Sequence, residues 1–143
     1  MENNKDIVRR QWYQELWDNW NLSTADELLT DDYRLHLPGS PQPLDRATAR
    51  QVVAMFSVSF PDLKHTVHEM IGEGDTVAAR WTVRGTHRGD FQGVAPTGNT
   101  VVVDGVTVHH LVNGRVSETW LCFDTTNLMQ QLTVTAAPAT AST

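Results

Sequence analysis

The sequence predicts an α+β fold: a cone-shaped α+β barrel in which a strongly curved antiparallel sheet carries three helices over its concave face. Two observations predict it. Apolar residues recur at spacings of three and four through the first part of the chain, and from Lys64 onward the period becomes two. Turn-forming segments rich in glycine, at 72–75 and 112–114, then separate the alternating runs at hairpin distances. Helices first and antiparallel strands last is the order of a sheet with helices on one face. A bent sheet closed by helices encloses room for one small, mostly apolar ligand.

Each element has its own signal. A helix over 4–20 follows from Ile7, Val8, Trp12, Leu16 and Trp20, widened by Tyr13 and Trp17. Asn21 and Leu22 break it. Ser23 or Thr24 is expected to cap a second short helix whose buried side is Ala25, Leu28 and Leu29, ended by Asp31 and Asp32. Residues 33–37 read as a short strand stopped by Pro38 and Gly39, and the proline-rich stretch 38–43 as a rigid loop. Asp45 is a cap for a helix over 45–59 with Val52, Val53, Met55, Phe56 and Phe60 on one face. Strands over 64–71 and 76–87 flank the turn at 72–75, a loop spans 88–99, and strands over 100–111 and 115–124 pair across Val112, Asn113 and Gly114. Residues 125–132 are a final turn or two of helix, or a continued edge.

Length and charge narrow the function classes. A chain of 143 residues with 40% hydrophobic content makes one domain with a real core, read here as 1–132, followed by a small, polar tail over 133–143 that is expected to be disordered. Seventeen acidic against 11 basic residues give a charge of −6, which argues against nucleic acid or an anionic membrane as partner. The single cysteine, Cys122, permits no intrachain disulfide and fits a reducing compartment. The polar N-terminus has no apolar signal core, and no run approaches the ~18 apolar residues of a membrane span. The cytoplasm is the expected location.

The order of elements, with several local patterns, resembles the SnoaL-like polyketide cyclase family of the nuclear-transport-factor-2-like superfamily. The patterns are Gly85-Thr86-His87-x-Gly89-x-Phe91-x-Gly93, Pro96-Thr97-Gly98, Asn113-Gly114-Arg115-Val116-x-Glu118-x-Trp120 with Asp124, and Leu128-x-Gln130-Gln131-Leu132. Glu15-Leu16-Trp17, 25–29, Asp32-Tyr33, Phe60-Pro61-Asp62 and Gly74-Asp75 agree with it, so the match runs from about residue 5 to 132. The resemblance implies a cavity without cofactor or metal, side-chain acid/base groups acting on a polyketide-like ligand, and a homodimer through the outer sheet face. Aldol-type members use a carboxylate on the last strand and a histidine on the strand before. By this alignment those positions hold Leu121 and Thr107, so the family's acid/base pair is missing.

With the last hairpin closed by a type I turn and a left-handed glycine, Leu111 pairs with Arg115, His109 with Ser117 and Thr107 with Thr119. Thr107, His109, Leu111, Ser117, Thr119, Leu121 and Phe123 then face the cavity, and Val106, Val108, His110, Val116, Glu118, Trp120, Cys122 and Asp124 face away. A one-residue slip swaps the sets and makes Glu118 and Asp124 the candidates. On this reading His109 is the acid/base candidate, Tyr13 supplies a hydroxyl to a developing oxyanion, and Asp124 joins them if the strand end turns it inward. Trp17, His36, Met55, Phe56, Trp81, Phe91, Thr107, Thr119, Leu121 and Phe123 are the expected substrate contacts.

Other signals are absent. His65 and His68 fall on opposite faces of a strand, and no carboxylate completes a ligand-like spacing, so no metal is expected. No phosphate-binding glycine loop or nucleophilic serine elbow occurs. The resulting expectation is a cofactor-independent cyclase of secondary metabolism. It closes a ring in a polyketide-like substrate by acid/base assistance, or by holding the chain in a reactive conformation as for a cycloaddition. The rivals are a non-catalytic binder of a hydrophobic small molecule and an epoxide-opening hydrolase or isomerase.

Overall fold

The computed structural model describes residues 3–133, so the tail expected to be disordered lies, from 134 on, outside the described residues. Four helical segments and five strands follow in the order expected, with the C-terminal segment settled as helix. Helix α1 (Asn4–Ile7), capped by the Asn3 side chain, runs straight into a π-helix over Val8–Asp18. Then come α2 (Ser23–Leu28), β1 (Leu29–His36), α3 (Arg46–Ser59), β2 (Lys64–Glu73), β3 (Thr76–Thr86), β4 (Thr100–Val112), β5 (Arg115–Phe123) and α4 (Thr125–Thr133). No helix among the described residues is long and apolar enough to cross a membrane.

The strands form one sheet in the order β1-β5-β4-β3-β2. β2 to β5 are an antiparallel meander, as the period-two runs predict. The correction is at the edge, where β1 lies parallel to β5, with Leu35 opposite Thr119 and His36 opposite Trp120. β1 also starts earlier than expected, directly at the end of α2, with no break at Asp31 and Asp32. The Arg115 side chain explains that junction. It donates to the carbonyls of Asp26, Glu27 and Leu29, meeting orphan acceptors at the helix end. Neither Ser23 nor Thr24 caps α2; the Ser23 hydroxyl donates to Asn21 Oδ1 instead. α3 begins as predicted, with Asp45 accepting from the Thr48 N–H at 2.8 Å.

The last hairpin has a different register from the one expected. Asn113 and Gly114 both have positive φ (51° and 79°), so the turn is a two-residue one that pairs Val112 with Arg115. One extra residue, Ser117, then bulges out between the Leu111–Val116 and His110–Glu118 pairs. Beyond the bulge His109 faces Thr119 and Thr107 faces Leu121. The turn and the bulge offset each other, so the face assignment survives for every residue but two. Val116 is buried inside, and Ser117 is turned to the His110 carbonyl.

On the inner face Trp81 and Gly105 are direct cross-strand partners. A Cβ at residue 105 would sit 2.2 Å from the Trp81 indole, so only glycine lets that ring lie across β4. The outer face keeps Val102 and Val106 exposed, at 39% and 43%.

Candidate functional site

The concave face and the helices enclose a cavity of about 400 Å³. The π-helix supplies Trp12, Tyr13 and Trp17, and α3 supplies Val52, Met55 and Phe56. Strands β2 to β5 supply His65, Trp81, Val103, Thr107, Leu121 and Phe123, and α4 closes the rim with Leu128 and Met129. The loop 88–99 adds Phe91, whose ring lies 5.3 Å from that of Phe56 and 5.4 Å from that of Phe60. Ser59 holds this loop through its hydroxyl to the Asp90 carbonyl, 2.6 Å, and His87 anchors its far end by accepting the Thr97 N–H. α4 is fixed by Gln131, whose side-chain amide bonds both the N–H and the C=O of Val102 at 2.8 Å, as a neighbouring strand would.

In this largely apolar wall Tyr13, His65, Trp81 and Thr107 bring polar atoms together. Trp81 Nε1–H donates to Thr107 Oγ1 at 2.7 Å. The Tyr13 hydroxyl is buried beside Thr107, close enough to feel it, yet the contact falls short of a hydrogen bond and the phenol is left without a partner. Burial pushes its ionisation upward, so it stays a protonated donor at neutral pH. Next to it, ring to ring at 5.3 Å, is His65. Its Nδ1 lies 3.0 Å from Asp18 Oδ1, and the same oxygen accepts the His65 backbone N–H at 3.0 Å. A carboxylate only accepts, so Nδ1 carries a hydrogen, and in that tautomer the acceptor nitrogen is Nε2. The rings of Trp17 and Trp81, at 6.1 and 5.2 Å, enclose the imidazole.

The π-helix makes this arrangement. In an α-helix residues five apart point about 140° away from each other. The wider turn of a π-helix instead brings them nearer to one side, as with Trp12 and Trp17 (6.4 Å between rings), and Tyr13 and Asp18 both reach His65. The helix ends at once, with Asn19 N–H bonded to the Gln14 carbonyl and Trp20 at φ 55°. Asp18 and His65 were therefore missed in the sequence. On an α-helical wheel Asp18 points away from Tyr13, and only the run of aromatic residues at spacings of four and five hinted at a wider turn.

Nine of the expected site residues lie on the cavity wall. Tyr13, Trp17, Met55, Phe56, Trp81, Phe91, Thr107, Leu121 and Phe123 all line the cavity. Four do not. His109 faces inward and is fully buried, but the rings of Trp12 (4.6 Å) and Tyr13 (6.5 Å) lie against it and it does not line the cavity. Its Nδ1 meets Thr119 Oγ1 at 2.9 Å, and burial pushes its pKa down to about 3, so it is a neutral core histidine. Thr119 is buried with it. Asp124 is exposed and caps α4, accepting the Asn127 N–H at 2.9 Å; the strand end does not turn it inward. His36 alternates outward from buried Leu35. There it meets Glu118 at 2.6 Å and stacks on Trp120 at 4.9 Å, away from the cavity. Among the described residues no group of three or more His, Cys, Asp or Glu is placed to hold a metal ion.

Fold and cavity together define a pocket for one small, mostly apolar ligand. The profile of the SnoaL-like polyketide cyclases matches residues 7–132. The chain belongs to that family. Among solved structures it is similar to IdmH of Streptomyces antibioticus, provisionally named a polyketide cyclase. Identity is 30% over 93% of this chain and 100% of that one, with a TM-score of 0.81. A SnoaL-like protein of Jannaschia sp. CCS1, also provisionally a polyketide cyclase, is 29% identical over 94% and 92% of the two chains, with a TM-score of 0.82. AclR of Streptomyces galilaeus, provisionally a hydroxylase, is 29% identical over 90% and 80%, with a TM-score of 0.80. No curated protein sequence matches this chain. Relatives of one fold thus carry different reaction names, and the reaction must be argued from the site.

Proposed function

We propose that the protein is a cofactor-independent cyclase that takes a polyketide-like chain into its cavity and closes a ring in it. The observation that carries this reading is the cavity wall. It is built mostly from aromatic and aliphatic side chains on helices and strands, and Tyr13, Thr107 and His65 stand among them. A flexible apolar chain confined there loses in binding the freedom it would otherwise lose at the transition state. Leu121 and Thr107, direct partners across β4 and β5, occupy the positions where aldol-type relatives are expected to carry a carboxylate and a histidine. Ring closure therefore leans on conformational confinement more than on an acid from the last strand.

The test is incubation with a linear polyene β-ketoester and analysis of products by mass spectrometry and NMR. The expected result is a ring-closed isomer forming faster than in buffer, with the acceleration reduced at least ~10-fold in Trp17→Ala, where the chain is less tightly held. Saturable quenching of tryptophan fluorescence with no acceleration over buffer would show a carrier of the ligand and sink the cyclase reading.

A further inference from the structure

We propose that His65, oriented by Asp18, and the Tyr13 hydroxyl form a proton-transfer site for a ketone whose carbonyl oxygen reaches the polar end of the cavity where these two residues meet. The inference rests on the cyclase reading for its substrate class and on separate geometry for its chemistry. Two polar atoms at that end await a ligand. One is the buried Tyr13 hydroxyl, which has no hydrogen-bond partner. The other is His65 Nε2, at the far edge of a ring that lines the cavity and whose Nδ1 is taken by Asp18. The two rings are 5.3 Å apart, so one can meet a carbonyl oxygen while the other meets the carbon beside it.

The groups around His65 are few and identifiable. Asp18 faces it from the π-helix, the Trp17 and Trp81 rings approach it from two sides, and Lys64 Nζ is bonded to the Asp18 carbonyl at 2.6 Å, outside the cavity. The step balances as follows. The α C–H bond breaks and its proton goes to Nε2. The C–H electron pair becomes the enolate double bond, and the carbonyl π pair moves onto oxygen, which accepts a hydrogen bond from Tyr13. Where a second carbonyl of the chain lies within reach, the enolate carbon bonds to it, and the alkoxide so formed takes the proton back from the imidazolium. Nothing is oxidised or reduced, and the protein returns to its starting state. Asp18 is a positioning residue, since it touches the base and no substrate atom.

The experiment uses 2-tetralone as probe, at concentrations that saturate the quenching of tryptophan fluorescence. Exchange of its α-hydrogens in D₂O is followed by NMR. The wild-type protein is expected to exceed free imidazole at equal concentration. His65→Gln should lose at least ~10²-fold in exchange while still quenching, and should lose the pH dependence that a titrating base imposes. Tyr13→Phe, nearly isosteric, should lose on the order of 10²-fold with its probe affinity little changed. Asp18→Asn should lower the exchange rate at unchanged probe affinity. A wild-type rate no greater than that of imidazole, or full exchange by His65→Gln with its pH profile intact, overturns the assignment. If His65→Gln does not fold, Tyr13→Phe decides: full exchange by that variant also overturns it. Ring closure of the β-ketoester with no exchange on 2-tetralone leaves confinement standing and removes this site; exchange without ring closure does the reverse.

Discussion

Asp18 Oδ1 accepts two hydrogen bonds from one residue, the backbone N–H and the ring Nδ1 of His65, both at 3.0 Å. This pair ties the end of the π-helix to the start of β2 at the wall of the cavity. Asp18→Ala leaves a largely buried imidazole without its acceptor. It should cost about 1–3 kcal/mol in unfolding free energy, read from urea denaturation, with the larger effect on proton exchange. Stability and exchange both equal to wild type would show that the contact is incidental.

A second expectation concerns acid. His109 is held at about 3 by burial, against ~6.5 in an unfolded chain. Between these values the unfolded chain binds a proton that the folded chain refuses, so this contribution is complete above pH ~6.5 and is lost as pH falls toward ~3. The loss approaches about 1.4 kcal/mol per pH unit within the window. Urea midpoints measured across that range for wild type and His109→Gln should diverge in slope, because the carboxylates titrate in both. Parallel profiles would place the histidine in contact with water.

Gly105→Ala puts a methyl group where the Trp81 indole lies. Overpacking of this kind costs about 1–3 kcal/mol, and freeing Trp81 Nε1 from Thr107 adds a buried donor without an acceptor. The variant should unfold at lower urea, show an altered near-ultraviolet circular dichroism spectrum, and quench less with 2-tetralone. An unchanged spectrum and midpoint would contradict the close approach.

Gln131 holds α4 as a mimic of a strand edge. Gln131→Ala should cost only about 1 kcal/mol, because Val102 is partly open to water. Amide exchange along α4 should quicken well before global unfolding, since the helix frays from the sheet locally. Gln131→Glu should be worse than alanine, because its carboxylate keeps the Val102 N–H but confronts the Val102 carbonyl.

The sequence carried the fold further than the site. Alternation and turn chemistry placed β2 to β5, and the Asp45 cap placed α3, because those signals are local. The parallel edge strand was not legible, since nothing local in β1 names its partner. The hairpin register was misjudged by the turn type, yet the faces came out nearly right because the turn and the Ser117 bulge compensate. Parity correctly pointed His109 inward, but it could not show that Trp12 would lie over it. Asp18 is not legible from the sequence, because α-helical periodicity turns it from Tyr13 where the backbone takes a wider turn.

That wider helix gives the protein an unusual dependence on counting. Substituting Asp18 tests which residue stands at the position. Removing any one residue between Tyr13 and Asp18 tests something else, because it leaves both side chains in the chain and changes their phase. Such a deletion lets the segment relax to α-helical winding, with Asp18 four positions after Tyr13, on the same helix face but at a different height along it. Trp12 and Tyr13 would still face the cavity. In this chain the relation between carboxylate and imidazole is written in the spacing of residues as much as in their identity.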